Sequence, residues 1–159
     1  MPEWDRIAAF HGVSARTKVA LAVDNRAPSA KRSGMIQTLP LVALGGAIGA
    51  ALRHMTNETA LRLFGPGFPF GTLAVNVVGS LLMGLLFVAL TERGAGRFSP
   101  FVLTGILGGF TTFSAFSLDT LALVERGQTM AASAYVAASV GLSLIAVFAG
   151  VSMARGWLA

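Results

Sequence analysis

The chain has 159 residues, of which 54% are hydrophobic and 12% charged, and its mean hydropathy is +0.71. This charge density is about half that of a soluble domain, so the composition indicates an integral membrane protein. The formal charge of +5 does not indicate a nucleic-acid partner, because six of the twelve Lys and Arg residues precede Met35 and the other six flank apolar segments.

Residues 36–159 divide into four apolar segments, each near the roughly 20 residues that a bilayer requires. These segments are Ile36–Leu52, Phe70–Leu90, Pro100–Val124 and Met130–Met153. We therefore expect an all-α membrane protein with four transmembrane helices. Residues 35–159 form one domain in this interpretation, so a path across the membrane requires a tight bundle or an oligomer.

The first 34 residues are polar and basic, and their longest apolar run, Val19–Val23, is too short for a signal peptide. We interpret residues 1–34 either as a disordered cytoplasmic tail or as sequence upstream of a true start at Met35. The second interpretation is favoured, because the segment has no physical task in the membrane.

The first apolar segment carries three glycines and then an arginine, in the pattern GGAIGAALRH. Gly45, Gly46 and Gly49 are spaced so that another backbone can approach closely. Arg53 is predicted at a helix end, where it is either an interfacial anchor or a charge that concentrates anions at a pore mouth. Gly and Pro residues then predict a loop over Thr56–Pro69.

In the second segment, Thr72, Asn76 and Ser80 recur every four residues and share one helical face. A primary amide such as that of Asn76 must be hydrogen-bonded or hydrated in hydrocarbon. An interhelical hydrogen bond would satisfy it. The polar stripe instead favours a wetted wall.

The third segment contains the string GILGGFTTFSAFS over Gly105–Ser117. Adjacent Gly108 and Gly109 predict a break at the centre of the helix, because glycine costs about 1 kcal/mol per helical position relative to alanine. The glycines alone fit close helix packing equally well. Farther on lies Asp119, a carboxylate that is either functional or solvated near the helix end.

The fourth segment places Tyr135, Ser139 and Ser143 every four residues on one face. A single membrane serine usually bonds its own helix, but three aligned hydroxyls favour a polar track.

The strings GTLAVNVVG and GGFTTFSAF resemble motifs of the Fluc (CrcB) family of fluoride channels, and the resemblance runs from Met35 to the C-terminus. It implies passive fluoride export across the bacterial inner membrane, lowering cytoplasmic fluoride, with two pores formed between the subunits of an antiparallel, dual-topology homodimer. It also implies a structural Na⁺ held by the backbone carbonyls of Gly108 and Thr111. The predicted fluoride pathway comprises Arg53, Thr72, Asn76, Ser80, Phe113, Ser114, Phe116, Tyr135, Ser139 and Ser143.

The residues themselves agree with anion passage and not with catalysis. No nucleophile–base pair or phosphate loop is present, and His11 and His54 lack the companions of a metal site. Hydroxyls, one amide and the positive edges of Phe113 and Phe116 suit a small anion. A small proton-coupled multidrug-type exporter is the main alternative, but it needs a carboxylate in the first span, and Ile36–Leu52 has none. A packing subunit without transport would explain the glycines but not the polar stripes.

Topology depends on the arginines that flank the four spans. From Met35 onward we expect three on each side, which gives no orientational preference and allows insertion both ways. One side holds Arg93, Arg97 and Arg155, and the other holds Arg53, Arg62 and Arg126. Translation from Met1 adds six basic residues to the first side. A start at Met35 is therefore expected for a dimer built from one gene product.

Overall fold

The computed structural model describes residues 28–158, and its described part is entirely helical. Helix α1 is Pro28–Phe64 and α2 is Phe70–Glu92. After a short 3₁₀ turn at Gly96–Phe98, α3 is π-helical over Pro100–Leu107 and α-helical over Gly108–Phe110. Helix α4 is Phe113–Glu125, and α5 is Thr129–Leu158.

Four helical stretches are long and apolar enough to cross a membrane, which confirms the predicted number of spans. They are Ile36–Phe64, Phe70–Glu92, Gly96–Glu125 and Thr129–Leu158. Together with the apolar composition, they make this a multi-pass membrane protein. The proposed start-site boundary concerns residues 1–34, most of which lie outside the described part.

Helix α1 extends beyond its predicted end, so the loop expected over Thr56–Pro69 begins only at Gly65. The Gly and Pro residues that predict the loop all lie at or after Gly65, and before it Thr56 and Thr59 donate to the helical carbonyls of Leu52 and Met55. Gly65 ends the helix with a φ of 73° while its amide bonds Leu61.

Helices α2 and α5 run side by side through reciprocal glycine contacts. A Cβ on Gly84 would overlap the Val147 carbonyl, and one on Gly150 would overlap the Leu81 carbonyl. The backbones approach this closely only because both positions lack side chains. A small buried cluster of Phe116, Leu123, Ala132 and Tyr135 joins α4 to α5.

The glycines of α1 face those of α3 in the same manner. The nearest atoms to a Cβ on Gly105 belong to Gly45, and those to a Cβ on Gly109 belong to Gly46. Gly108 and Gly109 themselves keep helical geometry. The break predicted at this glycine pair is therefore misplaced, and Gly109 serves helix packing.

Candidate functional site

The helical backbone of the third span is interrupted at Thr111 and Thr112. Thr111 has a ψ of 155°, and Thr112 has a φ of −154° and a ψ of 120°, so both residues are extended. Thr112 then caps α4, since its Oγ1 accepts from the Ala115 amide at 3.1 Å. The same oxygen lies 3.2 Å from Ser114 Oγ. The Thr112 and Ser114 hydroxyls therefore lie at the start of α4, whereas the Thr111 hydroxyl donates back to the Leu107 carbonyl.

Asn76 on α2 pairs with both backbone groups of Thr112. Its Nδ2 donates to the Thr112 carbonyl at 3.0 Å, and its Oδ1 accepts from the Thr112 amide at 2.8 Å. An extended residue inside a membrane span exposes backbone groups that need partners. The Asn76 amide supplies them while keeping its second N–H, so Asn76 has both a structural bond and a spare donor.

Among the carbonyl oxygens that precede the interruption, those of Gly108 and Thr111 have lost their usual helical donors to side chains. In a continuous helix the Thr112 amide would bond the Gly108 carbonyl and the Ala115 amide would bond the Thr111 carbonyl. Here the first amide donates to Asn76 Oδ1 and the second to Thr112 Oγ1. Carbonyl oxygens are hard ligands appropriate to a hard cation, so these two fit the Na⁺ role expected for Gly108 and Thr111. The described residues contain no cluster of three His, Cys, Asp or Glu that could hold a metal.

Arg53 does not lie at a helix end, contrary to the prediction. It is well inside α1, and its Nη1 lies 3.5 Å from the Thr111 carbonyl, the limit of a weak hydrogen bond. The guanidinium therefore lies beside the interruption, and both interpretations of Arg53, as an interfacial anchor and as a charge that concentrates anions, stay predictions.

A groove of about 480 Å³ runs along the interruption, and no side chain lining it is ionisable. It brings together residues from α2, α3, α4 and α5, and includes most of the predicted pathway. The lining residues are Asn76, Ser80, Gly108, Thr111, Thr112, Phe113, Phe116, Ser139, Val140, Ser143 and Leu144.

The two phenylalanines of the groove differ in environment. Their ring centroids are 5.3 Å apart, but Phe116 is buried at 8% exposure whereas Phe113 is 78% exposed. Phe116 is held against the ring of Tyr135 at 5.4 Å. The groove thus has a fixed inner wall and an open outer side.

Tyr135 lies behind the groove. Its side chain is fully buried, and its hydroxyl donates to Asp119 Oδ2 at 3.2 Å. Ser139, one turn farther along α5, is buried at 4% exposure, and its Oγ has no hydrogen-bond partner within the described part of the chain. Ser139 therefore presents an uncommitted hydroxyl to the groove, whereas Tyr135 does not.

Thr72 and Asp119 line a separate cleft of about 310 Å³ at the loop end of the bundle. Arg126 closes one side of it by donating to the Pro66 carbonyl at 3.1 Å. Asn57 contributes a buried Oδ1 that has no partner among the described residues. Thr72 shares a helical face with Asn76 and Ser80, but the structure assigns it to the cleft and them to the groove.

The hydrogen bonds between Asn76 and Thr112 could not be predicted from the sequence. The two residues are on separate spans, and nothing in the sequence shows which residues of two spans lie at the same height. It also placed Ser114 in the pathway on resemblance alone, and in the structure Ser114 contacts the cap and does not line the groove.

Comparison with known proteins gives consistent results. Residues 40–151 match the model of a family described as "CrcB-like protein, Camphor Resistance (CrcB)". A Cereibacter sphaeroides protein is 60% identical over 125 residues, covering 79% of this chain and all of the relative. A Paracoccus denitrificans protein is 56% identical over 125 residues with the same coverage, and a Rhizobium etli protein is 54% identical over 123 residues, covering 76% and 98%. All three relatives are named "Fluoride-specific ion channel FluC".

Proposed function

The chain belongs to the CrcB-like protein family, and on that premise we propose that it is a fluoride-specific ion channel that passively exports fluoride across the cell membrane. The observation that carries the proposal is the groove at the interrupted third span, which is lined by an amide, hydroxyls and phenyl rings. Such groups replace the water around a small anion without holding it as a buried cation would. The relatives are named as ion channels and not as enzymes.

The lining of the groove also separates a channel from the multidrug-type alternative. A proton-coupled exporter needs a titratable side chain in its transport site. None of the residues lining this groove titrates, and Asp119 lies in the separate cleft. Fluoride efflux from proteoliposomes without a proton gradient tests the proposal, and strict dependence on a pH difference would contradict it.

Within the groove, three kinds of group contact the ion: an amide N–H, serine hydroxyls and phenyl ring edges. Asn76 offers its spare N–H, Ser139 offers its unpartnered hydroxyl, and Ser80 and Ser143 extend the polar wall. Phe113 and Phe116 offer polarised ring edges. Arg53, beside the interruption, raises the local anion concentration without lining the groove.

The channel is an antiparallel homodimer of dual topology. A groove containing Asn76 and Ser139 that opens beside the exposed Phe113 would place polar groups against lipid unless another surface covered it. A second copy is the covering surface. Among residues 36–158 the flanking arginines are balanced, with Arg93, Arg97 and Arg155 opposite Arg53, Arg62 and Arg126, so insertion in both orientations is allowed.

A structural Na⁺ joins the two copies at the interruption. The Gly108 and Thr111 carbonyls of both protomers would supply four oxygens to it. The support is that both carbonyls have lost their helical donors to side chains. Because a carbonyl has two lone pairs, the Thr111 oxygen can ligate a cation while its other lone pair faces Arg53. The ion neutralises carbonyl dipoles in the span and is not transported.

A further inference from the structure

Asp119 is a carboxylate within the third span that the proposed ion path does not use. It lies on α4, and its Oδ2 accepts the Tyr135 hydroxyl at 3.2 Å. A phenol has a single proton to donate. While that proton is bonded to Asp119, Tyr135 can offer only its oxygen lone pairs to neighbouring groups, and these repel an anion.

The Ser139 hydroxyl, in contrast to that of Tyr135, has a proton that is not bonded to another side chain of the described residues. Ser139 is buried, lines the groove and has no hydrogen-bond partner among the described residues. Other hydroxyls of these helices bond their own backbone, as Ser133 does with the Thr129 carbonyl and Thr120 with the Phe116 carbonyl. The donors open to an ion on α5 therefore begin at Ser139, one turn after Tyr135.

We propose that Asp119 is a positioning residue that withholds the Tyr135 proton from the ion path, and so limits how tightly the channel holds fluoride at the buried end of the groove. The inference rests on the proposed fluoride conduction. A channel site must bind its ion weakly enough to release it. A free phenol behind Phe116 would add one more donor next to Ser139 and slow the departure of the ion.

Two other charged side chains face the same cleft as Asp119. Glu58 comes from α1, and Arg126 follows α4 with its guanidinium bonded to the Pro66 carbonyl. A direct effect of the Asp119 charge on the anion is therefore the competing explanation. The two explanations can be distinguished, because a direct effect of the Asp119 charge does not depend on the Tyr135 hydroxyl, whereas the proposed one does.

Two substitutions of Asp119 separate these explanations. Asp119→Asn removes the charge but keeps an oxygen that accepts from Tyr135, whereas Asp119→Leu removes both at similar size. Fluoride efflux from proteoliposomes should stay near the wild-type rate in Asp119→Asn. In Asp119→Leu it should fall by about two- to tenfold, the range expected for one added hydrogen bond. Adding Tyr135→Phe should restore the Asp119→Leu rate. Equal effects of Asp119→Leu with and without the Tyr135 hydroxyl, or equal effects of the Asn and Leu variants, would overturn the inference.

A spectroscopic measurement tests the same point without any variant. Tyr135 is the single tyrosine of the chain, so ¹³C labelling at tyrosine Cζ gives one signal from this hydroxyl. In the wild-type channel this signal should not move when fluoride is added, and in Asp119→Leu it should move. A wild-type signal that shifts with fluoride would overturn the inference. Fluoride conduction by the wild-type protein is measured separately, so failure of the proposed function would be recognised on its own.

Discussion

Asn76 and Thr112 are joined by two hydrogen bonds, in which the side-chain amide of one pairs with both backbone groups of the other. The residue that the polar stripe predicted for the ion path therefore also stabilises the interruption of the third span. On the proposed ion path the same amide also contacts the ion, so we expect changes at Asn76 to affect both fluoride passage and the support of the interruption.

Asn76→Asp should remove one of these two hydrogen bonds, the one that the side chain donates to the Thr112 carbonyl. The carboxylate can still accept from the Thr112 amide, but it cannot donate to the Thr112 carbonyl and it places a negative charge in the groove. We expect fluoride efflux to fall at least about tenfold, the effect of about 1.4 kcal/mol on a barrier. Thr112→Ser keeps the backbone groups and the capping hydroxyl, and should conduct within about twofold of wild type. Wild-type flux in Asn76→Asp would show that neither role matters.

Phe113→Ile and Phe116→Ile keep apolar volume but remove the polarised ring edge. Each should lower fluoride efflux by about tenfold if the rings face the ion. Phe148→Ile is the matched control, because Phe148 lies on α5 with 69% exposure and does not line the groove. Proteoliposome efflux of the three variants decides the point, and equal rates in all three would reduce the groove phenylalanines to packing.

The glycine contacts between α1 and α3 predict unequal tolerance of alanine. A Cβ on Gly49 would overlap the Ile106 carbonyl and lie 2.8 Å from the Phe110 amide, whereas a Cβ on Gly46 meets nothing within 4 Å. Gly49→Ala should therefore destabilise the protein by about 1–3 kcal/mol through overpacking, and Gly46→Ala should not. Thermal unfolding in detergent measures both. Similar melting temperatures for the two variants would contradict this close approach of α1 to α3.

Replacing Na⁺ by a bulky cation such as N-methyl-D-glucamine at equal ionic strength should destabilise the protein. An ion whose concentration is a hundred times its dissociation constant stabilises the folded protein by about 2.7 kcal/mol. Because the Gly108 and Thr111 ligands are backbone oxygens, exchange of the ion is a better test than side-chain substitution. If neither the melting temperature nor the fluoride flux changes with the cation, the proposal of a structural Na⁺ is contradicted.

The number of spans could be predicted from sequence because each requires only a sufficient run of apolar residues. The end of α1 could not, since the Gly and Pro residues that predict the loop begin only at Gly65 and do not show how far the helix continues beyond the apolar segment. The sequence predicts the interruption at Gly108–Gly109 because glycine is a poor helix former, yet both residues are helical, and at Gly109 the missing side chain allows the close contact with Gly46.

Most of the groove could also be predicted, because polar residues spaced by four on α2 and α5 must face a common polar space or each other. The spacing does not show where along that face the groove ends and the cleft begins. Thr72 therefore falls in the cleft, and Tyr135 lies between the two spaces with its proton committed to Asp119. The prediction that Arg53 lies at a helix end is wrong for a related reason, because α1 continues to Phe64.

The most direct test of the account is fluoride efflux from liposomes that contain only this purified protein, measured with a fluoride electrode at equal pH on both sides. We expect the imposed fluoride gradient to collapse once a cation ionophore balances the charge, and an equal chloride gradient to persist. Efflux that requires a pH difference, or chloride efflux as fast as that of fluoride, would contradict the proposal of a passive fluoride-specific channel.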